Sequence, residues 1–238
     1  MGKTFSIVVF FIIYPPKELF MPIIHSMTIA TCATIIAFFI ALPISFSLSN
    51  KRGIYKTIVE IVITLPMVLP PTVIGLVLLN TLGRNSGLGA FLWDRFNFSV
   101  IFTLTGAVIA TTIVVLPIMY QGVKSAFLTI DQSLIDVAKT LSATPLQRFF
   151  RIILPNCWPV MLSGILLSFC RALGEFGATL MVAGYIQNKT DTISTSIYFL
   201  IQDGRTQMAV YLAVVNLFIG LVALLVIQLL GKKDVINK

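Results

Sequence analysis

Arg171 and Glu175 are the only charged residues between positions 152 and 188. Four residues apart, they fall on one helix face and can pair. A charge inside a bilayer is costly and usually faces a partner or an aqueous cavity. Two uses follow. The pair stands beside a path for anions, or it is a packing ion pair, close to an outer helix end if the span stops near Cys170. Gly174, between the two charges, and Gly177, just after them, let another helix come close, which suits both uses. Pro66, Pro70 and Pro71 remove three backbone donors from a second apolar stretch. A helix broken there needs its freed carbonyls covered by protein or by a water-filled cavity, an arrangement that lines many transport paths. The alternative is a helix that enters the membrane late, with its prolines near one end.

Other chemistries are poorly provided for. His25 is the sole histidine and reads as a residue near a helix end. Cys32, Cys157 and Cys170 are widely spaced, with no CxxC pair, so neither a metal site nor a disulfide framework is expected. A membrane-embedded enzyme would need an acid/base or metal set within its spans, and no HExxH or Ser/His pair occurs at that depth. No GxxxxGK[ST] is present, so nucleotide binding is expected on another subunit.

The elements that must hold these residues follow from composition. The chain has 238 residues, 57% hydrophobic and 11% charged. Soluble domains carry about 25% charged residues, so a wet globular exterior is excluded, and the apolar content excludes disorder. Four stretches free of Asp, Glu, Lys and Arg are long enough to span, 19–50, 61–83, 96–123 and 206–231, and 152–170 with 176–188, interrupted only by Arg171 and Glu175, reads as one more. The five spans fall at roughly 24–48, 57–82, 100–123, 156–182 and 208–230. Residues 5–14 are apolar but cover only about 15 Å as a helix before Pro15 and Pro16. They form a short sixth span, an interfacial helix or a signal-like segment that no small-residue cleavage site follows. The resulting organisation is an N-terminal apolar segment at 1–22, a membrane domain at 23–230 and a tail at 231–238. The formal net charge of +8 would suggest nucleic acid in a soluble protein; here it sets orientation. Ten of the 17 basic residues lie in 50–56, in 124–155 and in the tail. The positive-inside rule places these segments and the C-terminus in the cytoplasm, and loops 83–99 and 183–207 outside.

Loop 124–155 is too regular for a linker. Residues 133–141 read as an amphipathic helix with Leu134, Val137, Ala138 and Leu141 on one face. Thr144 then suits an N-cap and Pro145 the first helical position. A second helix runs through Phe149, Phe150, Ile152 and Ile153 until Pro155 breaks it. The segment is a helix–turn–helix knuckle.

Its spacing resembles the cytoplasmic loop of ABC importer permeases, E-A-A, three residues, G, nine residues, I-x-L-P. Here Asp136, Val137 and Ala138 are followed by Ser142 at the glycine position, then by Ile152, Ile153, Leu154 and Pro155. Asp, Val and Ser depart from that pattern, and Ser142 stands where glycine reaches left-handed angles freely. The run from Arg171 to Thr179, RALGEFGAT, is similar to the signature of permeases for tetrahedral oxyanions. Residues 65–71, LPMVLPP, resemble their proline-rich second span, and residues 197–202, IYFLIQ, the outer segment of the molybdate branch.

The resemblance implies an all-α polytopic membrane helix bundle of the type I ABC importer permease kind, in a cell (plasma or inner) membrane. It implies molybdate as substrate, with tungstate or sulfate/thiosulfate as alternatives, over a channel or an enzyme. Asp136, Val137, Ala138, Leu141, Ser142, Ile152, Leu154 and Pro155 would form the ATPase-coupling loop. Arg171, Gly174, Glu175, Gly177, Pro66, Pro70 and Pro71 are candidates for the translocation path. The chain itself would hold no cofactor or metal. ATP-Mg would sit on an ABC ATPase subunit, present in two copies. A second copy of the chain, an extracytoplasmic oxyanion-binding protein and the lipid bilayer complete the expected partners, and nucleic acid is not among them.

Overall fold

The computed structural model describes residues 17–49, 51 and 53–236. The expected short segment at 5–14 lies outside the described residues. After a 3-10 turn at Lys17–Leu19 the chain forms α1 (Phe20–Ser49), α2 (Ile54–Val68), α3 (Pro71–Leu82), α4 (Gly87–Phe96) and α5 (Leu104–Leu128). It continues with α6 (Gln132–Thr140), α7 (Pro145–Leu173), α8 (Gly177–Ala183), α9 (Ile193–Gln202) and α10 (Thr206–Ile236). Helices α1, α5, α7 and α10 are each long and apolar enough to cross a membrane, and α2 with α3 is so only as a bent pair, a broken span or a re-entrant loop.

Helix α5 is the hub, packed by α1, α2, α7 and α8. Lipid gives helices no hydrophobic reason to associate, so close packing must hold them together. Helix α1 supplies Ala30, Ala33, Ala37 and Ala41, all fully buried along one stripe. Gly122 of α5 meets Gly164 of α7, where an added Cβ would stand 2.8 Å from the opposing Cα. Helix α10 lies at the margin, with Leu217, Phe218 and Leu225 exposed. At the end of the bundle opposite the knuckle, His25 is buried, with Nδ1 2.9 Å from Asp191 Oδ1 and 3.0 Å from its carbonyl. Beside it Ser26 Oγ accepts from Ile193 N–H at 2.8 Å. These bonds fasten α1 to the segment leading into α9.

Of the two readings of the prolines, the broken helix holds: 57–82 is two helices bent by 110°. Two expectations are corrected. The span at 156–182 is two helices, because α7 ends at Leu173 and α8 begins at Gly177. Pro155, expected to end the knuckle's second helix, does not: α7 runs through it. A π turn at Phe149–Ile153 precedes the proline, and Leu154 N–H reaches back to Phe149 O. The wider turn moves the proline to the start of the next α-helical segment, where its missing N–H and its ring are tolerated. Asn156 Nδ2 donates to Ile152 O at 2.7 Å and covers a carbonyl near that junction.

The Gly122–Gly164 crossing gives a direct test. Gly164→Ala should force α5 and α7 apart and destabilise the bundle by about 1–3 kcal/mol. Gly220→Ala, where an added Cβ meets nothing within 4 Å, should leave stability unchanged or raised. Thermal unfolding of both variants in detergent checks the difference.

Candidate functional site

The first break is written in consecutive prolines. Pro70 biases Leu69 away from helical angles, and Pro71 does the same to Pro70. Both comply, Leu69 at φ −80°, ψ 141° and Pro70 at φ −55°, ψ 136°. Pro71 then opens α3 at a position where no N–H is needed. Val73 N–H bonds to Pro70 O at 2.9 Å and Ile74 N–H to the same carbonyl at 3.4 Å, so two early donors of α3 are engaged.

The second break turns on Glu175. Helix α7 stops at Gly174, and the chain re-enters a helix three residues later. Glu175 is 3% exposed. Its Oε1 accepts from Ala178 N–H at 2.9 Å, capping α8, and its Oε2 lies 2.8 Å from Arg171 Nη1. The contact with Arg171 is ionic, since no N–H points squarely at Oε2. The pair therefore forms as expected, but across a helix end and not along one helix face.

The two breaks adjoin. A Cβ on Gly177 would lie 3.2 Å from Pro71 Cβ and from Thr72 Cγ2, and one on Gly75 would lie 2.6 Å from Met181 Cβ. The half-helices α3 and α8 thus pack against each other directly after their interruptions. Pro70, Pro71, Gly174, Glu175 and Gly177 form one neighbourhood, whereas Pro66 sits one turn before the bend, inside α2. Arg171, its side chain one-third exposed, borders a groove of about 610 Å³ with Met67, Gln121, Ser125 and Cys170. The wall is mostly apolar, with one cation and two neutral polar side chains among its residues.

The knuckle occupies the basic end of the bundle. Asp131 caps α6 by accepting from Ser133 N–H at 2.9 Å, and that bond holds its carboxyl below the usual range. At the other end Ala143 N–H bonds to Ala138 O at 3.0 Å and Ser142 N–H to Lys139 O at 2.9 Å. This is the Schellman pattern, which requires a left-handed residue between helix and turn. Ser142 supplies it at φ +56°. Thr144 and Gln147 then form a reciprocal capping box ahead of α7. Both helix ends at the turn are fixed by hydrogen bonds.

The knuckle's apolar residues divide. Ala138 is buried and Ile135 packs on the core, so Ala138 leaves the outward face expected of it. Leu134, Val137, Leu141, Leu146 and Phe150 project outward, with Leu141 76% exposed. Asp136 and Lys139 pair beside them at 2.7 Å, and the ammonium keeps the Asp136 carboxyl below its usual range. Ile152 and Leu154 are half-buried, and Pro155 is exposed. Exposed apolar side chains of this kind belong to surfaces that meet another protein or the membrane.

Sequence reasoning missed Gln121 and Ser125, which carry no motif. It also missed Glu60, whose Oε1 accepts from Lys124 Nζ at 2.8 Å and Tyr120 OH at 3.1 Å. The available signal was a lone carboxylate near the basic end of an apolar stretch. Among the described residues, no group of three or more His, Cys, Asp or Glu could hold a metal ion.

Residues 33–233 match the family described as binding-protein-dependent transport system inner membrane component. YvgM of Bacillus subtilis (strain 168), named as a candidate molybdenum transport system permease, is 38% identical over 81% of this chain and 85% of its own. The molybdenum transport system permease ModB of Haemophilus influenzae is 34% identical over 87% of this chain and 91% of its own. Among solved structures, a chain of a bacterial alginate ABC transporter in complex with its periplasmic protein superposes with a TM-score of 0.72. It is 18% identical and is matched over 93% of this chain and 80% of its own. A chain of the MetNI methionine ABC transporter gives 0.67 at 17% identity, over 88% and 94%. These two likenesses concern the fold. With a family match across most of its length and relatives above 30% identity, the chain belongs to the inner membrane components of binding-protein-dependent transport systems.

Proposed function

We propose that this chain is the membrane permease subunit of an ATP-driven importer for molybdate, working as a homodimer with two copies of a separate ATPase. The observation that carries the substrate is the likeness to permeases named for molybdenum transport over more than four-fifths of the chain. Physical features support the rest. The doubly capped knuckle presents Leu134, Val137 and Leu141 as anchors for a partner groove. The basic residues around it support a cytoplasmic position for that end. The groove beside Arg171 becomes a closed path when a second bundle covers it, and a symmetric dimer is the simplest way to supply one. An extracytoplasmic binding protein would deliver the anion at the opposite end.

Purified complex in liposomes should take up molybdate when ATP is inside and the cognate binding protein outside. Uptake of sulfate with no response to molybdate would overturn the substrate, and a complex with one copy of this chain by native mass spectrometry would overturn the dimer. Val137→Glu or Leu141→Glu should abolish ATPase association and uptake while thermal stability stays unchanged, because a charge would be desolvated in the docked face. Normal association in both variants would remove the knuckle's role. Ser142→Gly should keep uptake and stabilise the turn by up to about 1 kcal/mol, whereas Ser142→Val should destabilise it, since a β-branched residue resists left-handed angles.

Arg171→Ala would leave Glu175 buried with its charge uncompensated, repelling a dianion. We expect uptake to fall while ATPase association persists, and the double variant with Glu175→Gln to recover part of the loss. The amide retains an oxygen for Ala178 N–H, so the second substitution keeps the helix cap. Wild-type uptake in Arg171→Ala would reduce the pair to packing.

A further inference from the structure

A second cavity lies at the basic end, between α1, α2, α5 and α6, with a volume of about 290 Å³. Among the described residues, its charged lining is Lys56, Lys124 and Glu60, two cations against one carboxylate. Lys124 and Tyr120 both bind Glu60 Oε1. Lys56 is half-buried within Coulombic range of Glu60, but among the described residues it makes no ion pair of its own. The cavity therefore carries one positive charge in excess. Ser45 lines the same space. It is 2% exposed, and its Oγ has no hydrogen-bond partner, not even the backbone carbonyl one turn earlier that helical serines commonly use. A buried hydroxyl left without an acceptor is costly. An unspent donor on a residue that lines the cavity and an uncompensated ammonium in the same lining ask for the same thing, an oxyanion bearing a single negative charge.

We infer that this cavity binds a monoanionic phosphate-type group through Lys56 and Ser45, with the Lys124–Glu60–Tyr120 cluster as its fixed wall. A phosphodiester or a singly protonated tetrahedral oxyanion matches the excess charge, whereas a full dianion would overfill it and crowd the Glu60 carboxylate. Two sources offer this chemistry, the headgroup of an anionic phospholipid and a soluble oxyanion. Exposed apolar side chains at Ile54 and Ile58 of α2 could receive acyl chains in the first case. The cavity is separate from the groove at Arg171, with which it shares no lining residue. Gln132 and Ile135 of the knuckle helix line it, so an occupant would touch the element proposed to meet the ATPase.

The test titrates full-length permease, purified in detergent and stripped of phospholipid, with phosphatidylglycerol, phosphatidylcholine, inorganic phosphate or molybdate. Thermal unfolding and native mass spectrometry provide the readouts. We expect saturable stabilisation by phosphatidylglycerol or by a soluble oxyanion. Lys56→Gln should weaken it about tenfold or more, as loss of a charge-assisted bond does. Lys56→Arg should preserve binding, and Ser45→Ala should weaken it severalfold. Saturation by phosphatidylglycerol alone identifies a lipid headgroup; saturation by phosphate identifies a soluble anion, and dianionic molybdate binding as tightly as phosphate overturns the single-charge match. Lys51→Gln, outside the cavity, should bind as wild type does. The inference is overturned if neither class saturates, if zwitterionic phosphatidylcholine acts equally, if Lys56→Gln binds unchanged, or if Lys51→Gln weakens binding as much as Lys56→Gln.

Discussion

A hydrocarbon layer offers no water to a backbone whose helix has been interrupted, so each exposed N–H and C=O must find a partner within the protein. Glu175 meets one part of that demand at the second break, and Arg171 is held by the same side chain. One carboxylate oxygen takes the free N–H at the start of α8, and the other stands against the guanidinium at the end of α7. The buried carboxylate is tolerable only because it is both bonded and paired. Removing either contact would leave the other group badly placed. The break at Pro70 and Pro71 complements it, since α3 begins where no donor is wanted and packs on α8 through Gly75 and Gly177. At each interruption some of the freed backbone groups bond locally, and the two half-helices then brace each other.

The continuity of α7 joins this centre to the knuckle. From Pro145 to Arg171 the chain is helical without a gap, a distance of about 40 Å at 1.5 Å per residue. Had Pro155 ended the helix, a partner pushing on Leu141 or Leu146 would have acted on a hinge. The π turn carries the helix past the proline, so the knuckle and the charge pair sit at opposite ends of a single rod. Rigidity at the near end comes from the Schellman turn at Ser142 and the capping box of Thr144 and Gln147. In the proposed importer, displacement of the knuckle by an ATPase would reach Arg171 as movement of a rigid element, with the Gly122–Gly164 crossing as its fulcrum on α5.

Local chemistry made the knuckle legible from residue order. Thr144 before Pro145 can do little other than start a helix, and the expected helix at 133–141 is displaced by one residue from that observed. The apolar stretches likewise gave the spans, because lipid imposes a length that composition alone reveals. The breaks were harder. Arg171 and Glu175 have helical spacing, and their pairing survives, yet the helix has ended between them. Gly174 permits that ending without demanding it. Pro155 misled for the opposite reason, since a single residue's preference was overridden by a change of helical period just before it. Glu60 and Lys124 are 64 positions apart; nothing in local patterning connects them, and only the packing of α2 on α5 does.

The charge arrangement beside the groove is suited to passage more than to storage. A dianion meeting an isolated cation in a low-dielectric wall would be held far too strongly to leave. Arg171 is not isolated, because Glu175 stands 2.8 Å behind it and is itself almost wholly buried. The guanidinium is the more exposed partner, so the groove meets the positive end of a nearly neutral pair. The field of such a pair falls off faster with distance than that of a single charge, and an anion would feel it only when close. Gln121 and Ser125 can add neutral donors along the same wall. A path built this way would guide an oxyanion past Arg171 without supplying the full countercharge that would bind it there, and the release of the anion would then depend on movement of α7.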